Sequence, residues 1–305
     1  MKYLETGKIP YLWMIIILLV MTACSPLEAP QTSSGILYEI TGGNANAYLY
    51  GTIHVGHEDM YPLDEAVESA YHESEVLGLE LDITDTDRME TGGVMAEYAL
   101  LDDDRQMTDI ISRDLFDRVV AVTSEAGYDE ETLLRFEPWF AAMIINELSS
   151  ENSRLSPAYG VEQYLIALDE DKEIMNLETV EDQISPYAEL SDESQELFLE
   201  NALNSMDEPD QHTNEMLELW QEGNVDAFAF IRESLIGTAE TESLQRFQEA
   251  LLDGRDAQMT AVIDGILQSD DTRTHFFAVG ALHLAGENSI VDQLTDRGYE
   301  ITLVE

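Results

Sequence analysis

The chain has 305 residues, 44% of them hydrophobic, which is enough for one large core or for a domain that carries a helical insertion. Its 63 acidic residues stand against 14 Lys and Arg, giving a formal net charge of −49. Because phosphate recognition needs basic patches, this composition excludes nucleic acid and anionic membrane surfaces as direct partners. A carboxylate-rich surface with almost no lysine is typical of a halophile's protein, which holds water and cations in concentrated salt.

The N-terminus predicts a lipoprotein signal peptide over residues 1–23. A positive start is followed by the apolar run 11–21, which is too short to span a bilayer. This run ends with small residues before Cys24, the only cysteine, which cleavage would leave as a lipidated N-terminal residue. The alternative is an ordinary secretory signal with an incidental cysteine. We expect an extracytoplasmic protein anchored to the membrane through its N-terminal lipid only, with residues 24–34 as a flexible tether.

Residues 35–305 are predicted to form a single α/β domain. Two strands, Ile36–Ile40 and Ala47–Ile53, are rich in branched and aromatic residues and flank a Gly-Gly-Asn turn, which predicts a hairpin. A helix is expected from Pro62 to Glu73, and a short buried strand from Val76 to Leu81.

The middle of the chain, about residues 85–268, is predicted as a large helical insertion. Within it, Glu173–Leu177 has the pattern of a short strand. A strand at His275–Gly280, a helix at about 287–297 and a strand at Tyr299–Val304 close the domain. Strands at both ends of the domain predict a central sheet built from its N- and C-terminal segments.

A glycine followed three residues later by a histidine occurs at the end of two predicted strands, at Gly51–His54 and Gly280–His283. Residues at the carboxyl ends of sheet strands reach into a crevice, and glycine permits close backbone approach. Each histidine alone has an ordinary structural explanation, but the repetition favours joint use in a metal or acid–base site. His57 is a possible further ligand, although its neighbours favour an exposed loop.

Glu80 is the natural third member of this group. It ends an otherwise apolar strand, where a carboxylate is costly unless it is paired or bound to a metal. Two imidazoles and a carboxylate suit a divalent transition metal (Mn, Co, Zn or Fe), with Glu80 as ligand or general base. Alternatively, Glu80 is satisfied by an arginine such as Arg255. Glu178 ends a second apolar run and is a possible accessory residue of the same crevice.

The order of these motifs resembles the TraB/PrgY/GumN family. Three ordered blocks carry the likeness: Leu49–His57, then Gly160–Glu162 with Met175–Thr179, and finally Phe277–Gly286. The likeness extends over about residues 36–304. It implies an α/β fold shared with Tiki-type Wnt-inactivating metalloproteases and related to erythromycin esterase and to the haem-binding ChaN proteins.

The resemblance also implies roles for particular residues. In the Tiki branch, the two G-x-x-H histidines and a glutamate after the first serve a divalent-metal-dependent peptidase site, which corresponds to His54, His283 and Glu80. The family often has an arginine–asparagine pair where this chain has Arg255 and Asp256. The acid changes hydrogen bonding and charge at this point, or provides an added ligand.

The leading hypothesis is a lipid-anchored, metal-dependent hydrolase of a peptide or small-molecule amide, with Arg255 stabilising charge on the substrate. The rival is a non-catalytic envelope protein that binds a peptide, a metal or haem in the same crevice. A third hypothesis is a purely structural lipoprotein. Turnover separates the first from the second, because a binding protein forms no product.

Overall fold

The computed structural model describes residues 34–82, 88–151, 155–206, 211–237 and 241–304. The predicted signal peptide, Cys24 and all of the tether except Ser34 lie outside the described residues. In the part of the chain that is described, no helix combines the length and the apolar character needed to cross a membrane.

Six strands of the described residues form one mixed sheet, in the order β4-β3-β5-β2-β1-β6. The strands are β1 (Ile36–Thr41), β2 (Ala47–Thr52), β3 (Val76–Leu79), β4 (Glu173–Asn176), β5 (His275–Gly280) and β6 (Glu300–Leu303). Strands β4, β3, β5 and β2 are parallel to one another, whereas β1 is antiparallel to both β2 and β6. The predicted α/β fold, with a sheet drawn from both ends of the domain, is confirmed.

Helices occupy most of the chain between β3 and β5. The described α-helices are α1 (Glu65–Glu73), α2 (Arg88–Ala99), α3 (Arg113–Thr123), α4 (Glu130–Leu133), α5 (Pro138–Glu151), α6 (Val161–Leu168), α7 (Val180–Ala188), α8 (Asp192–Ser205), α9 (Gln211–Gln221), α10 (Val225–Gly237), α11 (Glu242–Glu249), α12 (Arg255–Leu267) and α13 (Ile290–Asp296). A π-helical turn, Ala250–Gly254, joins α11 to α12. The predicted helical middle of the chain is therefore interrupted by β4, which forms one edge of the sheet.

Several predicted boundaries are shifted. Helix α1 begins at Glu65 rather than at Pro62, because the Asp64 carboxylate accepts the backbone N–H of Ala66 and caps the helix. Likewise, α13 begins only after Ser289, whose hydroxyl accepts the N–H of Asp292. Strand β3 ends at Leu79, the last residue paired with β5, instead of at Leu81.

The largest hydrophobic cluster packs on the sheet, and a second one lies among the helices of the middle segment. In the first, Leu49 of β2 and Phe277 of β5 are fully buried. The second centres on α3, α5 and α8, with Phe116, Ile145 and Leu199 at 0% exposure. The apolar surface that these strands bury in the first cluster stabilises their positions, since each Å² removed from water contributes about 25 cal/mol. The ends of these strands are therefore rigid supports for side chains.

Candidate functional site

The four parallel strands have their carboxyl ends on the same side of the sheet, and a candidate residue follows each of them. In strand order across the sheet these residues are Glu178, Glu80, His283 and His54. Because β5 and β2 are parallel neighbours, the two G-x-x-H motifs leave the sheet side by side. The topology thus brings these four residues together at the carboxyl ends of the parallel strands, although they are far apart in sequence.

Three of these side chains converge around Gly280. Its backbone N–H donates to Glu80 Oε1 over 2.7 Å, and the same oxygen lies 3.8 Å from His283 Nε2. A Cβ added to Gly280 would lie 3.3 Å from Glu80 Oε1, 3.5 Å from His283 Cδ2 and 3.7 Å from His54 Nε2. The missing side chain of Gly280 therefore leaves a space bordered by both imidazoles and the carboxylate.

His54 is held by Glu162, a residue that the sequence analysis did not assign to the site. His54 Nδ1 lies 2.8 Å from Glu162 Oε1, which also accepts the Thr52 hydroxyl over 2.5 Å. The hydrogen bond to Glu162 is the main reason that the pKa of His54 is raised to about 9. The available signal was the run Gly160–Glu162, which forms part of the family resemblance.

A close backbone approach brings Glu162 to His54. The N–H of Val161 donates to the carbonyl of Ile53 over 3.0 Å, so helix α6 begins against the end of β2. A Cβ on Gly160 would lie only 2.5 Å from the carbonyl oxygen of His54. Glycine at position 160 therefore allows the helix to start beside the histidine.

His283 is held by a buried ionic network. Its Nδ1 lies 2.6 Å from Asp256 Oδ1, and Asp256 Oδ2 lies 2.6 Å from Arg232 Nη1. Arg232 also donates to the carbonyl of Leu282 over 2.9 Å and to Asp253 over 2.5 Å. Asp256 is 0% and Arg232 2% exposed. Asp256 thus contacts His283 through Oδ1 and Arg232 through Oδ2.

The two histidines thus share one arrangement. Each directs Nδ1 to a carboxylate, Glu162 or Asp256, and each ring borders the space at Gly280, His54 with Nε2 and His283 with Cδ2. The Nε2 atom of His283 lies 3.8 Å from Glu80 Oε1. A second-shell carboxylate on one ring nitrogen is typical of metal-binding histidines, because it fixes the tautomer and the ring orientation.

Arg255 pairs with Glu80, as the alternative interpretation of Glu80 expected. Arg255 Nη2 donates to Glu80 Oε2 over 2.6 Å, and Nε and Nη2 donate to the two oxygens of Glu178 over 2.9 and 2.6 Å. Burial alone raises the pKa of Glu80, but His283, Arg255, His54 and the Gly280 N–H together lower it to about 2. The Glu178 side chain is 0% exposed, so it lies behind Arg255.

His57 lies apart from this group in its described contacts. It precedes a short 3-10 helix, Glu58–Met60, and its Nδ1 is 3.8 Å from Asp59 Oδ2. None of the contacts described for this part of the chain joins it to His54, Glu80 or His283.

A cleft of about 280 Å³ opens beside His54. Polar and apolar side chains both line it: His54, Glu80, Glu162, Gln163 and Gln183, and Leu79, Leu81, Pro157 and Ile166. A ligand in this cleft would lie directly against the group around Gly280.

The donor set fits a divalent transition metal in its chemistry. Two imidazole nitrogens with carboxylate-fixed rings border one space with Glu80, and Gly280 leaves that space free of a side chain. As arranged, however, no three His, Cys, Asp or Glu side chains among the described residues form a closed ligand set. These side chains would therefore have to move before they could hold a metal ion together.

Comparison with known proteins agrees with the family resemblance seen in the sequence. A model of the TraB/PrgY/gumN family matches residues 36–303. Metalloprotease TIKI2 of Xenopus tropicalis is 25% identical, covering 84% of this chain and 57% of its own. A metalloprotease TIKI homolog of Amphimedon queenslandica is 23% identical, covering 83% and 58%. The chain thus spans less than two thirds of these relatives.

A bacterial relative matches over most of its length. The uncharacterized protein YbaP of Escherichia coli (strain K12) is 24% identical, with 83% of this chain and 89% of YbaP covered. No solved structure matches the chain.

Proposed function

The chain belongs to the TraB/PrgY/gumN family, and on this premise we propose that it is a divalent-metal-dependent hydrolase of peptides or related amides. One observation carries the proposal: His54, Glu80 and His283 border one space at Gly280, with both histidine rings oriented by carboxylates. The similarity to proteins named metalloproteases supports a peptide as substrate.

His54 and His283 would hold the metal through Nε2, and Glu80 would serve as a third ligand or as the general base. The set suits Mn, Co, Zn or Fe. When bound, such an ion activates water and polarises the substrate carbonyl.

The chain's own residues supply the remaining chemistry. With its pKa lowered to about 2, Glu80 is ionised at neutral pH, which is the form that binds a metal ion. A carboxylate with so low a pKa is a weak base, so Glu80 would accept a proton from the attacking water more readily once its ion pair with Arg255 opens. The Gly280 N–H and Arg255 hold its two oxygens in place. Arg255 therefore orients Glu80, and its positive charge would also stabilise negative charge that develops on a substrate close by.

The N-terminal sequence supports a location for this activity. The signal-like leader and Cys24 fit a lipoprotein on the outer side of a membrane. The excess of acidic residues fits an envelope exposed to concentrated salt.

Bound metal is the first test. The full chain and a His54→Ala/His283→Ala variant are purified in detergent and molar salt, supplied with the same metals, and compared by elemental analysis. We expect about one transition-metal ion per chain that is lost with the two histidines, and cleavage of peptides by the wild type alone. Equal metal content in two folded proteins would contradict the proposal, and the variant is the baseline for cations held loosely by surface carboxylates.

A second candidate function is a non-catalytic binding protein. The observation that favours it is the Arg255–Glu80 ion pair, which engages the carboxylate needed for catalysis. Saturable binding of a peptide, a metal or haem without any product would support this candidate.

A further inference from the structure

We propose that the cleft beside His54 is a specificity subsite that receives one apolar side chain of a peptide substrate, next to the bond to be hydrolysed. This inference rests on the proposed function. It goes further by naming the substrate class: neutral or basic peptides with a leucine-like residue at the reacting position.

The apolar walls are built on the same elements as the reacting group. Ile166 and Glu162 lie four residues apart on α6, on one face of that helix, and both line the cleft. Glu162 orients His54, so the helix that fixes the histidine also presents Ile166 to the ligand.

The end of β3 supplies the opposite part of the lining. Leu79 and Leu81 flank Glu80 in sequence, and all three border the cleft. An apolar side chain seated between β3 and α6 would therefore lie against Glu80 and His54. Its own peptide bonds would then be the ones nearest to the reacting residues.

The volume and the charge of the cleft limit its occupant. About 280 Å³ with a mostly apolar lining has room for a side chain as large as leucine, methionine or phenylalanine together with part of the adjoining peptide backbone. The carboxylates of Glu80 and Glu162 border the cleft but are paired with Arg255 and His54, and the chain as a whole carries a net charge of −49. A carboxylate seated there would lose its hydration against the mostly apolar lining, and the nearby cations His54 and Arg255 are already paired with carboxylates. The amide of Gln163 is placed to hydrogen-bond a peptide backbone, whereas the Nε2 of Gln183 already donates to Glu178 over 3.5 Å.

Peptide binding tests the subsite separately from turnover. The full chain in detergent and molar salt is titrated with acetyl-Gly-Leu-Gly-amide and acetyl-Gly-Asp-Gly-amide, with the ¹³C-labelled isoleucine methyl groups followed by NMR. The Ile166 signal is assigned from its loss in Ile166→Val. We expect the leucine peptide to shift that signal and to bind roughly tenfold or more tightly than the aspartate peptide.

Two phenylalanine substitutions provide a matched pair. Ile166→Phe fills the cleft and should abolish the preference for leucine. Ile301→Phe changes another partly buried isoleucine, on the edge strand β6 at the far side of the sheet, and should preserve it. If Ile166→Phe fails to fold, the methyl shifts and relative affinities of the wild-type protein still decide the question.

The outcomes separate the two proposals. Equal affinity for both peptides, no binding of either, or an unmoved Ile166 signal would overturn the subsite. Hydrolysis of peptides without preference would also overturn it while leaving the hydrolase standing. A leucine peptide that binds at Ile166 in a protein without metal or turnover would support the subsite and defeat the hydrolase.

Discussion

The two histidine-bearing strand ends share one sequence motif but lie in opposite environments. The His54 side chain is 67% exposed, and its partner Glu162 is 20% exposed. The His283 side chain is 7% exposed, and its partner Asp256 is 0% exposed. One imidazole therefore borders an open cleft, whereas the other is fixed in the protein interior.

The difference divides the site into a fixed half and an open half. Arg232 joins Asp256, Asp253 and the Leu282 carbonyl, so the fixed half depends on a buried ionic network. The open half depends on the approach of α6 to β2 and on Glu162. A site of this kind keeps one ligand rigid while the other remains accessible to substrate, and substitutions in the two halves should have different consequences.

The largest effect is expected from removing the cation of the fixed half. Arg232→Met leaves Asp256 buried without its ionic partner, so we expect a loss of about 3–5 kcal/mol in the free energy of unfolding. Urea unfolding in molar salt measures this loss. As the control, Arg113→Met removes an arginine that is 58% exposed and pairs with Asp117 and Glu130, and should leave the midpoint nearly unchanged. Equal effects of the two substitutions would mean that the network does not support His283.

In the open half, Gly160→Ala tests the contact between α6 and His54. The added methyl meets the His54 carbonyl oxygen at 2.5 Å, so we expect a cost of about 1–3 kcal/mol in stability together with weaker metal binding. Gly265→Ala is the matched control, because an added Cβ meets nothing within 4 Å on α12 and should stabilise the fold by about 0.5–1 kcal/mol. An equally stable Gly160→Ala protein with unchanged metal affinity would contradict this account of the open half.

Loosening His54 alone should separate metal binding from folding. Glu162→Gln weakens the hydrogen bond to Nδ1, so metal affinity should fall about 10- to 100-fold with little change in the urea midpoint. Competition with a chromophoric chelator measures the affinity. Glu181→Gln, at an exposed glutamate that binds Tyr98, serves as the control and should have no effect on it. An unchanged affinity in Glu162→Gln would remove Glu162 from the site.

The smallest effect on metal affinity is expected from a substitution at Gly280, where the fixed half and the open half meet. Gly280→Ala places a methyl 3.3 Å from Glu80 Oε1, a contact that a small movement of the carboxylate relieves. Metal affinity should fall, but by less than in Glu162→Gln, and stability should stay close to that of the wild type. Unaltered affinity in the same chelator assay would show that the metal does not use the space at Gly280.

The sequence predicted the parts of this arrangement that have local signals. Runs rich in apolar, branched and aromatic residues predicted β1, β2 and β5. The repeated G-x-x-H motif indicated that His54 and His283 act as a pair. The strand order then explains why they meet, because β2 and β5 are parallel neighbours.

The partners that orient the histidines had no such signal. Glu162 and Arg232 are distant in sequence from the histidines they support, and their roles arise from tertiary packing. Asp256 attracted attention as a departure from the family pattern, but the sequence did not show that Arg232 compensates its charge. Helix starts were misplaced for a related reason, since a cap such as Asp64 competes with the apolar pattern.

The most direct test of the central claim is X-ray absorption spectroscopy of the zinc- or cobalt-loaded protein, because it counts imidazole ligands. We expect two imidazole ligands on the metal in the wild type and one in each of the single variants His54→Ala and His283→Ala. A metal whose imidazole count is unchanged by either substitution would show that the two strand ends do not form one metal site.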